Sequence, residues 1–107
     1  MARTTRFQVA LVMAFSMTCA VSFAQSSGEA IYKAKCLNCH GSTGLANSGV
    51  GKLMKVKPVD DPEVKKQSEA EMIAAVRNGA GKMQAYKGTL ADAEIKASVL
   101  YFRTFLK

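Results

Sequence analysis

The sequence predicts a small all-α fold of three to four short helices, and three observations carry that prediction. Two capping-box patterns, Ser26-x-x-Glu29 and Ser68-x-x-Glu71, each put a hydroxyl and a carboxylate where they satisfy free backbone donors at a helix start. Near the C-terminus Ile95, Val99, Phe102 and Leu106 recur at helical spacing, with Ser98, Tyr101 and Phe105 as an adjacent seam. Between these segments lie glycine- and proline-rich stretches, and no alternating apolar run offers a convincing strand.

The chain opens with Arg3 and Arg6 ahead of an apolar stretch from Val9 to Ala20. Ser22-Phe23-Ala24 then offers small residues at the two positions a signal peptidase reads, so residues 1–24 are expected to be a secretory signal cleaved after Ala24. The apolar stretch is short for a spanning helix, and Ser16-Met17-Thr18 before Cys19 lack the residues of an acylation site. Cleavage takes Cys19 away and leaves Cys36 and Cys39 in an exported, periplasmic chain with no lasting membrane insertion. Residues 25–107 form one domain, expected to be a monomer, whose core is marginal unless a bound apolar body fills it. The formal charge of +7 loses Arg3 and Arg6 and falls to +5. That balance suits an acidic protein partner but supplies no basic stripe with interleaved aromatics for nucleic acid.

The first helix starts at the Ser26 box, with Gly28, Tyr32 and Cys36 four apart on an inward face and Ile31 beside them. Gly41 to Lys57 reads as a loop, with room for one helical turn at Lys52–Lys55. Pro58 and Pro62 flank Asp60-Asp61 in an exposed turn. A helix of about ten residues then carries Met72, Ile73 and Val76 on one face and stops at Asn78-Gly79. Gly79 to Gly88 forms a loop around Met83 and Tyr86, and the last helix begins near Asp92. There are no internal repeats.

The first helix runs into Cys36-Leu37-Asn38-Cys39-His40, a C-x-x-C-H segment. Two thiols three positions apart project from one side of a helical turn and can add to the two vinyl groups of a porphyrin. The histidine that follows at once, the only one in the chain, lies where its imidazole can take the proximal position on iron. The expected content is therefore one covalently bound c-type haem, which would also complete the core. A thioredoxin-like pair would need a βαβ pattern nearby, and a zinc site would need a fourth ligand beyond Cys36, Cys39 and His40.

A chain that only passes electrons should close both axial positions of the iron. Met72 shares a helix face with Ile73 and Val76, which core packing explains, whereas Met83 has no helical face to account for it. Gly79 and Gly81 let backbone approach a porphyrin closely there, so Met83 is the favoured second ligand and Met54 the reserve.

Gly28, Tyr32, the C-x-x-C-H segment, Asn78-Gly79-x-Gly81-Lys82-Met83-x-Ala85-Tyr86, Leu90-x-Asp92-x-Glu94-Ile95 and Tyr101-Phe102-Arg103 together resemble the class I monohaem c-type cytochromes. The likeness is nearest to small bacterial periplasmic members related to the haem domains of oxidase subunits. It implies a cytochrome c fold whose first and last helices cross near Gly28 and Tyr101, His40 and Met83 as axial ligands, and one exposed haem edge. Two features depart from the family pattern. Gln84 stands where a proline often follows the ligand methionine, and no proline between Gly41 and Lys57 marks a carbonyl to orient His40.

The expected function is a diffusing one-electron carrier, not an enzyme. The alternative is a haem subunit of an exported dehydrogenase or oxidase, which should show a sizeable apolar face, and no spare apolar stripe stands out in the sequence. A small-ligand sensor would leave Met83 off the iron. Lys33 and Lys35, then Lys52, Lys55 and Lys57, then Lys82 and Lys87 flank the proposed cofactor, and if they ring its edge they steer an acidic redox partner.

Overall fold

The computed structural model describes residues 28–107. The Ser26 end of the first capping box, Cys19 and the expected signal segment lie outside them.

Five helical segments are present among the described residues. The first, α1, is helical over residues 28–40; it widens to a π-helical turn at Tyr32–Cys36 and returns to α geometry at Leu37–His40, where Gly41 ends it. Then follow α2 (Gly49–Leu53), α3 (Pro62–Lys66), α4 (Glu69–Asn78) and α5 (Asp92–Arg103). Among the described residues there is no strand, only an isolated bridge between Ala80 and Met83.

Local chemistry accounts for each boundary. The Ser68 hydroxyl accepts from the Glu71 amide at 3.1 Å and donates to the Glu71 carboxylate, so α4 starts where the capping pattern put it, and its ten residues end before Gly79. At α5 the Glu94 carboxylate accepts the Ala91 amide at 3.0 Å, which is half of a capping box without the hydroxyl. Two expectations need correction. The helical turn in the early loop is Gly49–Leu53, not Lys52–Lys55, because Ser48 caps it by accepting from the Gly51 amide at 2.9 Å. The turn at Asp60-Asp61 leads into a helix of its own, since the Asp61 carboxylate accepts the Glu63 amide at 2.8 Å and Pro62 occupies the first helical position, where a missing N–H costs nothing.

Tyr32 and Ile95 are wholly buried. Val64, Met72 and Val99 form a second core cluster between α3, α4 and α5, with Ile73, Val76, Phe102 and Leu106 packed against it. The stripe read from the sequence is therefore the inward face of α5, although the helix ends at Arg103 and Leu106 continues it in a turn.

The first and last helices cross at Gly28 and Ala97, one turn from the expected Gly28 and Tyr101. A Cβ on Gly28 would run into the Ala97 carbonyl, so only glycine allows this approach. Tyr101 instead meets Tyr32, the next residue along the face of α1, with ring centroids 5.3 Å apart.

Candidate functional site

The end of α1 delivers three of the chemistry-bearing side chains to one place. Cys36, Cys39 and His40 all line a single cavity of about 640 Å³, within the size range of small-molecule and cofactor sites. Its far walls are the apolar faces of α4 and α5, including Met72, Val76, Val99 and Phe102. The remaining sides are the segment after α2, with Met54, and the loop after α4, with Met83.

The Cys36 thiol is pushed up to about 11 by burial and, secondarily, by Cys39. It stays protonated at neutral pH, which is not the low-pKa thiolate of a thiol–disulfide exchange site. The zinc reading also loses support, since no group of three or more His, Cys, Asp or Glu among the described residues is arranged to hold a metal ion. Burial lowers the His40 pKa, so the imidazole is neutral at pH 7, the form that can donate a lone pair to a metal. The ring packs edge-on against Phe102 at 5.3 Å. Its Nδ1 is buried with no hydrogen-bond partner among the described residues.

Backbone and phenol contacts hold His40 instead. The Ala46 amide donates to the His40 carbonyl at 2.8 Å, and the buried Tyr32 hydroxyl donates to the Gly41 carbonyl at 2.5 Å. The inward position of Tyr32 was legible from its spacing, but this polar tie was not, because it depends on where Gly41 turns.

Met83 sits in a loop folded on itself: the Ala80 and Met83 amides exchange hydrogen bonds with each other's carbonyls at 3.2 and 2.9 Å. Gly79 is needed for that closure. It has φ of +83°, and a Cβ there would press on the Met83 carbonyl at 3.0 Å. Gly81 has open space around it. Tyr86 anchors the loop, its amide donating to Val76 at 3.0 Å and its hydroxyl to the carbonyl of Lys35, next to Cys36, at 3.2 Å. This tie between the Met83 loop and α1 had no signal in the sequence pattern.

The residues present fit a haem. The cavity has an apolar lining, a paired-thiol edge, a neutral imidazole and three thioethers, those of Met54, Met72 and Met83.

The model of the family described as cytochrome c oxidase, cbb3-type, subunit III matches residues 23–102. The chain belongs to the class I monohaem c-type cytochromes. Cytochrome c6 of Leptolyngbya boryana is 33% identical to this cytochrome over 76 residues, covering 71% of this chain and 86% of that protein. The solved KustC0563 c-type cytochrome superposes with a TM-score of 0.68 at 29% identity, over 75% of this chain and 98% of that one. Cytochrome c6 of the diatom Phaeodactylum tricornutum gives a TM-score of 0.56 at 28% identity, over 74% and 90% of the two chains. The cytochrome is an all-α electron-transfer protein, and its cofactor is one covalently bound haem c with its iron.

Proposed function

We propose that this cytochrome is a freely diffusing, periplasmic one-electron carrier and not an enzyme. Cys36 and Cys39 hold the haem, and His40 and Met83 are its axial ligands. The observation that carries the reading is the convergence on one cavity of both thiols and His40 from α1 with Met83 from the loop after α4. When bound, the haem supplies a one-electron iron couple, and a thioether ligand opposite histidine favours a high reduction potential.

The chain's own residues do the rest. Phe102 packs on the His40 ring, the Ala46 and Tyr32 hydrogen bonds hold the backbone at His40 and Gly41, and the Ala80 bridge and Tyr86 fix the loop that carries Met83. The apolar walls exclude water and so favour the less charged iron state. Lys35, Lys55 and Lys82 line the cavity, and none has a salt-bridge partner among the described residues. They form a cationic rim suited to an acidic redox partner. Lys33 and Lys57 are partly neutralised by Glu29 and Glu63.

The periplasmic location rests on the signal read in residues 1–24, with the cytochrome domain beginning at residue 25. No helix among the described residues is long and apolar enough to cross a membrane. The second reading, a haem subunit of an exported dehydrogenase or oxidase complex, is favoured by the oxidase-subunit description of the matching family.

Acid-acetone extraction and a haemochrome spectrum of the exported protein test the cofactor assignment. Haem should stay with the protein after denaturation, because thioether bonds do not depend on the fold. Complete release would refute attachment at Cys36 and Cys39. Sedimentation of the native protein from a periplasmic extract separates the two readings: a monomer supports the carrier, and a stable large assembly supports the subunit.

A further inference from the structure

We infer that Arg103 is a redox-tuning residue: its guanidinium stands behind the Met72 wall of the cavity and carries an uncompensated positive charge that raises the reduction potential of a haem held there. This rests on the haem reading and adds to it a determinant of potential outside the ligand set.

Arg103 is the last residue of α5 and follows Phe102, which packs on His40. Its Nη1 donates to the Gln67 carbonyl at 3.1 Å and lies 3.6 Å from the Met72 Sδ. Gln67, Met72 and Phe102 all line the cavity, and Met72 is only 5% exposed. The guanidinium is therefore one side chain removed from the interior, with a buried thioether between them.

Both of these acceptors are neutral, which sets Arg103 apart from the other cations. Every lysine among the described residues is exposed, and Arg77, the other half-buried cation, is ion-paired with Asp92 at 2.9 Å. Arg103 is half-buried and has no carboxylate partner among the described residues. Water and salt screen an exposed charge, so its field at an interior group is weak, whereas a charge set against an apolar wall is screened much less. A guanidinium also keeps its proton at every working pH, so this charge is fixed.

The sign of the effect follows directly. Ferric haem carries one more positive charge than ferrous haem, so a fixed cation nearby costs the ferric form more and raises the potential. A clasp that merely joins the end of α5 to Gln67 and Met72 would need the hydrogen bonds but not the charge. Lysine separates the two roles, because it keeps the charge and lacks the planar fork that engages both acceptors.

Spectroelectrochemical titration of the intact holo-cytochrome tests this role. Arg103→Gln, which keeps an N–H donor and removes the charge, should lower the midpoint potential and shift the equilibrium with a redox mediator several-fold toward the ferric form. Arg103→Lys should stay close to the wild type in potential. Both should lower the melting temperature, and both should keep the weak far-red band, since neither alters ligation. Arg103→Met retains the apolar stem and gives the same reading should the glutamine variant not hold haem. Lys96→Gln, exposed on the same helix, controls for net charge and should leave the potential nearly constant. An unshifted potential in Arg103→Gln, or an equal fall in Arg103→Lys or Lys96→Gln, overturns the tuning role. So does a fall that disappears in molar salt, which would mean a charge acting through solvent. A wild type that releases its haem on acid-acetone extraction overturns the haem reading instead, an outcome separate from a retained haem whose potential ignores Arg103.

Discussion

The phenol of Tyr32 donates a 2.5 Å hydrogen bond to the carbonyl of Gly41, tying the middle of the first helix to the residue that follows His40. Burial raises the phenol's pKa well above its usual value, with Cys36 a smaller cause, so it stays protonated and remains a donor. The same ring packs against Tyr101 at 5.3 Å and Phe105 at 5.6 Å. Tyr32 therefore joins the helix crossing and the C-x-x-C-H turn in one side chain.

Tyr32→Phe preserves the ring packing and removes only the hydroxyl. It leaves the Gly41 carbonyl without its donor, at a cost of about 1–3 kcal/mol. The midpoint of guanidinium unfolding should fall with little change in slope, and the reduction potential should shift as the residue next to His40 gains freedom. Unchanged values of both would show that the hydroxyl bears no part in holding this turn.

Gly28→Ala should destabilise the holo-cytochrome by about 1–3 kcal/mol, because its Cβ meets the Ala97 backbone and the two helices must separate to admit it. Thermal unfolding followed by helical circular dichroism checks this. Gly88→Ala is the contrast, since nothing lies within 4 Å of a Cβ there and the melting temperature should stay nearly constant.

Both Met83 and Met54 line the cavity, so substitution has to decide between them. Met83→Ala should abolish the weak far-red band of methionine-ligated ferric haem, open the iron to cyanide or carbon monoxide, and lower the reduction potential. Met54→Ala should leave all three unaltered. The reverse pattern would transfer the axial role to Met54 without disturbing the haem assignment.

Lys82→Glu and Lys87→Glu should slow electron transfer to an acidic redox protein while the haem spectrum stays nearly constant. Lys82 lines the cavity and Lys87 is exposed on the same loop, so both alter approach and not ligation. Stopped-flow rates should show the effect shrinking as ionic strength rises, because salt screens exposed charges. Lys107→Glu, at the chain end, controls for net charge, and equal slowing by it would refute a localised cationic rim.

Much of this protein could be read from its residues because the signals are local. The C-x-x-C-H spacing placed two thiols and an imidazole at the end of one helix without knowledge of any long-range contact. Ser68 and Glu71 set the start of α4, Gly79 set its end, and the spacing of Ile95, Val99 and Phe102 marked the buried face of α5, all through bonds or packing within a few residues. The short helices α2 and α3 were missed or misplaced, since each makes only one or two turns and shows no periodicity. Their caps, Ser48 and Asp61, were the available signs.

The sequence by itself determined the spacing of the proposed attachment residues, the helical class and the candidate ligands, since each depends on residue type and near-neighbour spacing. Tertiary structure alone decided that Gly28 crosses at Ala97, that Tyr32 reaches Gly41, and that Tyr86 ties the Met83 loop back to Lys35. It also decided that Leu53 faces outward. The physical reason is that a hydrogen bond across dozens of residues, or the exposure of one leucine, is fixed by how helices meet in space, and no local pattern of residues encodes that meeting.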